Sequence, residues 1–221
     1  MRLHPGSPHH STSAAPERKA RFVVVEGCNG AGKSTVAAHL ASVLDARLFH
    51  FPPEFMEFKE ASALDLRVRA VPRFAYHLAA ALELSDLVRD ALGDGDVVCD
   101  RYVPSAMMPT VAFDGPDEHA LAGLMEPLSG YFVVPDLVVV LRADASVSIE
   151  RIRKRAQETG KMTALAQRLI DHPEAFADCD ELVRDQSRRL ARTVEIDTTS
   201  LTVELACDAA VAAVGALAGA A

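Results

Sequence analysis

The chain has 221 residues, 49% of them apolar, enough for one sizeable core with no need of a second domain. Its formal charge of −8 excludes the broad basic face that general nucleic-acid binding requires. Four cysteines (Cys28, Cys99, Cys179 and Cys207) stand far apart without C-x-x-C spacing, a usage that suits reduced thiols in a cytoplasm rather than disulfides or zinc.

Residues 1–20, rich in Pro, Ser and His, carry no apolar run of signal-peptide length and predict a disordered tail ahead of a single domain over 21–221. "FVVV" (22–25) predicts a short buried strand. It leads into G-x-x-x-x-G-K-S, written here by Gly27, Cys28, Asn29, Gly30, Ala31, Gly32, Lys33 and Ser34, with Thr35 next. Glycines let successive backbone N–H groups wrap anionic oxygens, and a helix opening at the lysine adds its positive dipole end. In such a loop the lysine serves the β- and γ-phosphates and the serine hydroxyl serves Mg²⁺, so Lys33 and Ser34 are the expected phosphate and metal residues. Cys28 is expected to be a tolerated small residue of the loop.

"STVAAHLASVLDA" (34–46) predicts the following helix and "ARLFHF" (46–51) a second strand. Residues 73–92 have helical spacing that stops at Gly93-Asp94-Gly95, and "DVVCD" (96–100) predicts a third strand ending in an acid. A helix over 116–130, a strand over 135–143 and a helix over 146–157 follow. A charged helical region from about Pro173 to Arg192, a fifth strand at 193–197 and an apolar terminal helix complete the chain. Glu204 and Asp208 interrupt that last segment, which is too short beyond Asp208 to span a membrane. Alternating strands and helices imply an α/β three-layer P-loop NTPase fold: a five-stranded parallel sheet with helices on both faces.

Ligands of such sheets gather beyond the carboxyl ends of the strands. Asp100, at the end of strand three, is placed there as a metal-ordering carboxylate or as an acceptor of a proton from an attacking oxygen. Arg101 offers a planar fork to an anionic acceptor.

These residues carry a resemblance. From about Arg21 onward the chain resembles thymidylate kinases and, more distantly, deoxynucleoside kinases, through "VEGCNGAGKST", "FPPE" (51–54), "DRYVPS" with Asp100, Arg101, Tyr102 and Ser105, "PDLVVVLRADASVSIERIRKR" and "VEIDTTS". The resemblance implies phosphoryl transfer from ATP-Mg²⁺ to a small nucleotide acceptor, dTMP-like, with a basic lid at about 153–165 that excludes water on closing. Lid candidates are Arg151, Arg153, Lys154, Arg155 and Lys161, with Arg155 and Arg153 favoured. Tyr76, Phe74 and Phe51 are candidates to stack a base, with core packing the commoner role for each, and the substrate-binding set is Phe51, Tyr76, His77, Arg101, Tyr102 and Ser105. Two departures bear on the acceptor: His50 stands where these kinases carry an arginine, and Ala81 stands at their pyrimidine-recognising arginine. A nucleoside acceptor, with Asp100 taking the proton of a 5′-hydroxyl, is therefore the alternative, together with a degenerate protein that only binds nucleotide. A GTPase needs N-K-x-D, and Asn29 is the only asparagine in the chain. The family's common dimers imply a homodimer through helix 74–92, or equally a helix buried within one chain.

Overall fold

The structure, a computed structural model, describes residues 19–56, 69–114 and 118–217. The expected disordered tail therefore lies outside the described residues, except for Lys19 and Ala20. Five parallel strands form one sheet in the order β2-β3-β1-β4-β5. They are β1 (Phe22–Gly27), β2 (Arg47–His50), β3 (Val97–Asp100), β4 (Leu137–Arg142) and β5 (Thr193–Asp197). Strand side chains alternate between faces, so the continuous apolar runs feed two cores. Val23, Val25, Val98, Val139 and Leu141 pack with α1 (Lys33–Leu44) and the terminal helix, Val203–Gly215. Phe22, Val24, Val97, Cys99, Val138 and Val140 pack on the opposite face.

That second face is covered by α2 (Ala70–Ala91), α3 (Val103–Asp114), and, after α4 (Glu118–Met125) and α5 (Ala145–Thr159), by α6 (Ala164–Asp171) and α7 (Ala175–Leu190); the terminal helix is α8. On α2, Phe74, Ala81, Leu84 and Val88 are buried in this same chain, so the apolar stripe proposed for a dimer serves the monomer core. No described helix is long and apolar enough to cross a membrane.

The predicted elements differ from the structure in three places. Helix α3 has no counterpart among the predicted elements; Pro104 falls in its first turn, where a missing N–H costs nothing, and Pro109 is carried inside the helix. The helix expected over 116–130 ends at Met125 and tightens into a 3-10 turn at Glu126–Tyr131, with Pro127 in its first turn. Helix α6 occupies part of the expected lid segment, capped by Thr163, whose Oγ1 accepts from Ala166 N at 3.1 Å.

Register brings the chemistry together. Val25 pairs with Asp100, and Asp100 with His50, so the ends of β1, β3 and β2 lie side by side at one edge of the sheet.

Candidate active site

The loop after β1 closes against β4 and α5. Gly27 has φ 140°, and a Cβ there would lie 2.1 Å from the Leu141 carbonyl oxygen. Gly30 has φ 84°, and its Cβ would sit 2.5 Å from the Ser148 carbonyl oxygen at the start of α5. Gly30→Ala is accordingly expected to lower stability by about 2 kcal/mol or more and to weaken nucleotide binding further than that loss accounts for. Chemical denaturation together with titration of a fluorescent nucleotide checks both parts.

Two residues beyond the loop brace it. Arg151 donates through Nη1 to Gly30 O at 3.3 Å and to Thr198 Oγ1 at 3.1 Å, and through Nη2 to Thr198 O at 2.8 Å. Thr198 Oγ1 is also 3.0 Å from Ala31 O. The sequence placed Arg151 among lid bases; here it ties α5 to the phosphate loop. Of the other lid candidates, Lys154, Arg155 and Lys161 line the cleft in front of the loop, whereas Arg153 is exposed and outside that lining.

Lys33 opens α1 and is buried, its Nζ donating to Cys28 O at 2.6 Å. Burial and the Arg101 charge pull its pKa down to about 7, against the raising influence of Asp100, Cys28 and Glu26. Phosphate oxygens favour the cationic form, so nucleotide binding raises this pKa. The sign is then fixed: binding takes up protons at about pH 7.5, and affinity falls as pH rises through the free value. Calorimetry in buffers of different ionisation enthalpy should show net proton uptake in the wild type and much less in Lys33→Met.

Cys28 turns away from the cleft. Its thiol is 3.9 Å from Phe176 O and hydrogen-bonds with Cys179 on α7, a contact that, with burial, pushes the Cys28 pKa well up. An activated loop thiol is not what this environment makes.

Beside the loop, Asp100 ends β3 and is 6% exposed. Its Oδ2 is 3.5 Å from His50 Nδ1, and its Oδ1 is buried without a hydrogen-bond partner. Such an orphan oxygen at a cleft wall is the mark of a group that waits for a ligand, ion or proton. Arg101 has φ 74° and directs its fork to two neutral acceptors, Asn29 Oδ1 at 2.6 Å and Ser105 Oγ at 3.0 Å. Its charge therefore stays uncompensated by those partners. Tyr102, expected to meet substrate, is fully buried instead, edge-on to Phe22 at 5.3 Å and to Phe132 at 6.3 Å. The left-handed backbone at Arg101 accounts for this correction: it sends Arg101 to the cleft and the next side chain into the core.

The cleft in front of the loop has a volume of about 1680 Å³. That exceeds the roughly 300–1,000 Å³ of a single small-molecule pocket and suits two ligands end to end. Its lining includes Gly30, Gly32, Lys33 and Ser34 of the phosphate loop and, from other elements, Phe51, Tyr76, His77, Met108 and Pro109. Phe51 and His77 lie 6.0 Å apart, and Tyr76 and His77 5.1 Å apart, an aromatic wall. Tyr76 OH donates to Met56 O. Ala81, by contrast, is wholly buried and reaches no ligand. Sequence reasoning missed Glu54, which places a carboxylate on this lining, and the bracing role of Thr198. Among the described residues no group of three or more His, Cys, Asp or Glu side chains forms a metal cage.

A thymidylate kinase family model matches residues 25–194. Among curated relatives, the thymidylate kinase of Solidesulfovibrio magneticus is 29% identical over 192 residues, covering 77% of this chain and 88% of that protein. That of Akkermansia muciniphila is 34% identical over 150 residues, covering 64% of this chain and 71% of that protein. Among solved structures, a deoxyadenosine kinase from M. mycoides with bound products superposes with a TM-score of 0.67 at 18% identity, over 88% of this chain and 99% of that one. The Candida albicans thymidylate kinase gives 0.66 at 20% identity, over 90% and 92%. At these identities the structural likeness is one of fold.

Proposed function

The chain belongs to the thymidylate kinase family, and from that premise we propose that it moves the γ-phosphate of ATP to a nucleoside monophosphate, a dTMP-like pyrimidine nucleotide first among candidates. The observation that carries the reading is the meeting of two sets of residues on one cleft lining: Lys33 with the phosphate loop and, beside them, Asp100 and Arg101, the latter bonded to Asn29 of the loop at 2.6 Å. Transfer between two polyanions is a matter of in-line placement and charge neutralisation, and these residues supply both. Lys33 neutralises the donor end. Arg101, whose hydrogen-bond partners are both neutral, binds the acceptor phosphate. Arg155, with Lys154 and Lys161 beside it, covers the transferred group from the lid side, and Arg153 is a less favourable lid base because it faces away. Phe51, Tyr76 and His77 stack the acceptor base.

The residues present also fit Mg²⁺. Ser34 exposes its hydroxyl on the cleft, and the unpartnered Oδ1 of Asp100 can accept from a metal-bound water. Bound there, the ion neutralises β- and γ-phosphate charge; every other role falls to the side chains named above. The partner is thus a small nucleotide, and a cytoplasmic setting is the one the scattered cysteine spacing supports.

A second reading rests on two observations. Asp100 Oδ1 is free to accept a proton, and Glu54 adds negative charge to the acceptor end, which favours an uncharged nucleoside hydroxyl over a phosphate. A panel of paired nucleosides and monophosphates, thymidine and dTMP included, assayed for ATP consumption, decides. Turnover confined to nucleosides would replace the monophosphate reading, and ATP binding with no acceptor-dependent turnover would reduce the protein to a nucleotide binder.

A further inference from the structure

Glu26 is an anomaly in its strand. β1 is otherwise apolar, and alternation sends Glu26 to the same face as Phe22 and Val24, under α3, with none of its surface exposed. It is not part of the cleft lining. A carboxylate so placed is tolerated only where donors replace its water. Oε1 accepts from Tyr102 N at 2.8 Å and Ser105 N at 3.3 Å; Oε2 accepts from Ser105 Oγ at 2.8 Å and Gly27 N at 3.3 Å. Three of the four donors belong to the start of α3, where backbone N–H groups lack helical partners and the dipole favours an anion.

The Ser105 hydroxyl has one hydrogen, and it goes to Glu26. Its lone pairs are thereby left to Arg101 Nη1, 3.0 Å away. Arg101 Nη2 is fixed by Asn29 of the phosphate loop at 2.6 Å, and Arg101 N donates to Val25 O at 2.9 Å. The backbone of Arg101 stands at φ 74°, a conformation that a side-chain-bearing residue holds only under constraint. Glu26 supplies that constraint at the very next N–H, that of Tyr102.

We propose that Glu26 is a positioning residue for the acceptor step: through Ser105 and the Tyr102 N–H it fixes where the Arg101 fork points, without touching either substrate. The inference rests on the phosphotransferase reading, in which Arg101 binds the acceptor. The carboxylate charge is essential to the device, because an acid oxygen only accepts. In Glu26→Gln the amide cannot satisfy all four donors. If its oxygen faces the two backbone N–H groups, its NH₂ donates to Ser105 Oγ, and the serine hydrogen is turned towards the Arg101 donor.

The test compares Glu26→Gln, Ser105→Ala and the double variant in the full chain. Steady-state kinetics are run with the preferred acceptor, and nucleotide affinity is read by displacement of a fluorescent ATP analogue. Glu26→Gln is expected to lower kcat/KM for the acceptor about 10- to 100-fold, chiefly through KM, with nucleotide affinity changed less than about threefold. Ser105→Ala is expected to lower it about tenfold in a chain that still folds, with a reduced melting temperature because a buried carboxylate loses a donor, and it serves alone if Glu26→Gln does not fold. The double variant is expected to be no worse than Glu26→Gln, because both break one relay. Glu26→Asp, which keeps the charge, should recover part of the loss. Acceptor KM unchanged in Ser105→Ala, or effects of the two variants that multiply independently, overturns the proposal even if stability falls. Absence of acceptor-dependent turnover in the wild type overturns the phosphotransferase reading, and this inference with it.

Discussion

Replacing Lys33 with alanine is expected to remove acceptor-dependent ATP consumption, with kcat at least about 10³-fold lower than wild type. Lys33 is a single compact charge held almost wholly out of water, 6% exposed, at the first turn of α1. In a site that excludes water each charge–charge interaction is stronger than in solution, and the β–γ bridging region gains negative charge as the bond to ADP breaks. Glycines and helix-end N–H groups remain in the variant, so nucleotide still binds. The discriminating measurement is single-turnover transfer beside nucleotide titration: a large loss in the first with a modest loss in the second. Equal losses in both would make Lys33 a ground-state ligand only. Because Lys33 titrates at about 7 in the free protein, the wild-type assay should be run below and above that value, with apparent ATP affinity falling on the alkaline side. Lys33→Ala should lack that fall.

Much of this architecture was legible in the sequence, for reasons that differ by element. β1, β3 and β4 announce themselves as unbroken apolar runs, since a parallel strand covered on both faces has no polar side to show. The phosphate loop is a local motif, and its geometry follows from glycine spacing alone. What the sequence hides is non-local. Nothing in "DRYVPS" states that Arg101 takes a left-handed backbone, yet that one dihedral decides that Arg101 faces the cleft and Tyr102 the core. Glu26 is the fifth residue of β1 and reads as an ordinary carboxylate before a glycine; only α3 folding over β1 turns it into the cap of another element's N-terminus. Thr198 and Arg151 reach the loop across 167 and 121 residues of chain respectively, distances at which no periodicity speaks. Helix α3 goes unannounced for a further reason, since it carries Pro104 and Pro109, and it also supplies part of the cleft lining.

Arg101→Ala is expected to raise acceptor KM by about 10- to 100-fold and to lower kcat as well, with ATP KM nearly unchanged. Its two neutral partners, Asn29 and Ser105, fix the direction of the fork without forming an ion pair with it, which is how an anion ligand is prepared in advance. Lysine does not substitute: one ammonium at the end of a flexible stem cannot hold Asn29 and Ser105 in the same plane, so Arg101→Lys should behave closer to Arg101→Ala than to wild type. The split between constants also sorts the acceptor. A phosphate-bearing acceptor loses a direct ion pair, and KM carries the loss. A nucleoside hydroxyl has no such pair to lose, so the effect would move to kcat alone, where Arg101 would act only on the transferring phosphoryl group. Acceptor KM and kcat both at wild-type values in Arg101→Ala would remove this residue from the site, and Glu26, Ser105 and Asn29 would then be holding in place a guanidinium without a function.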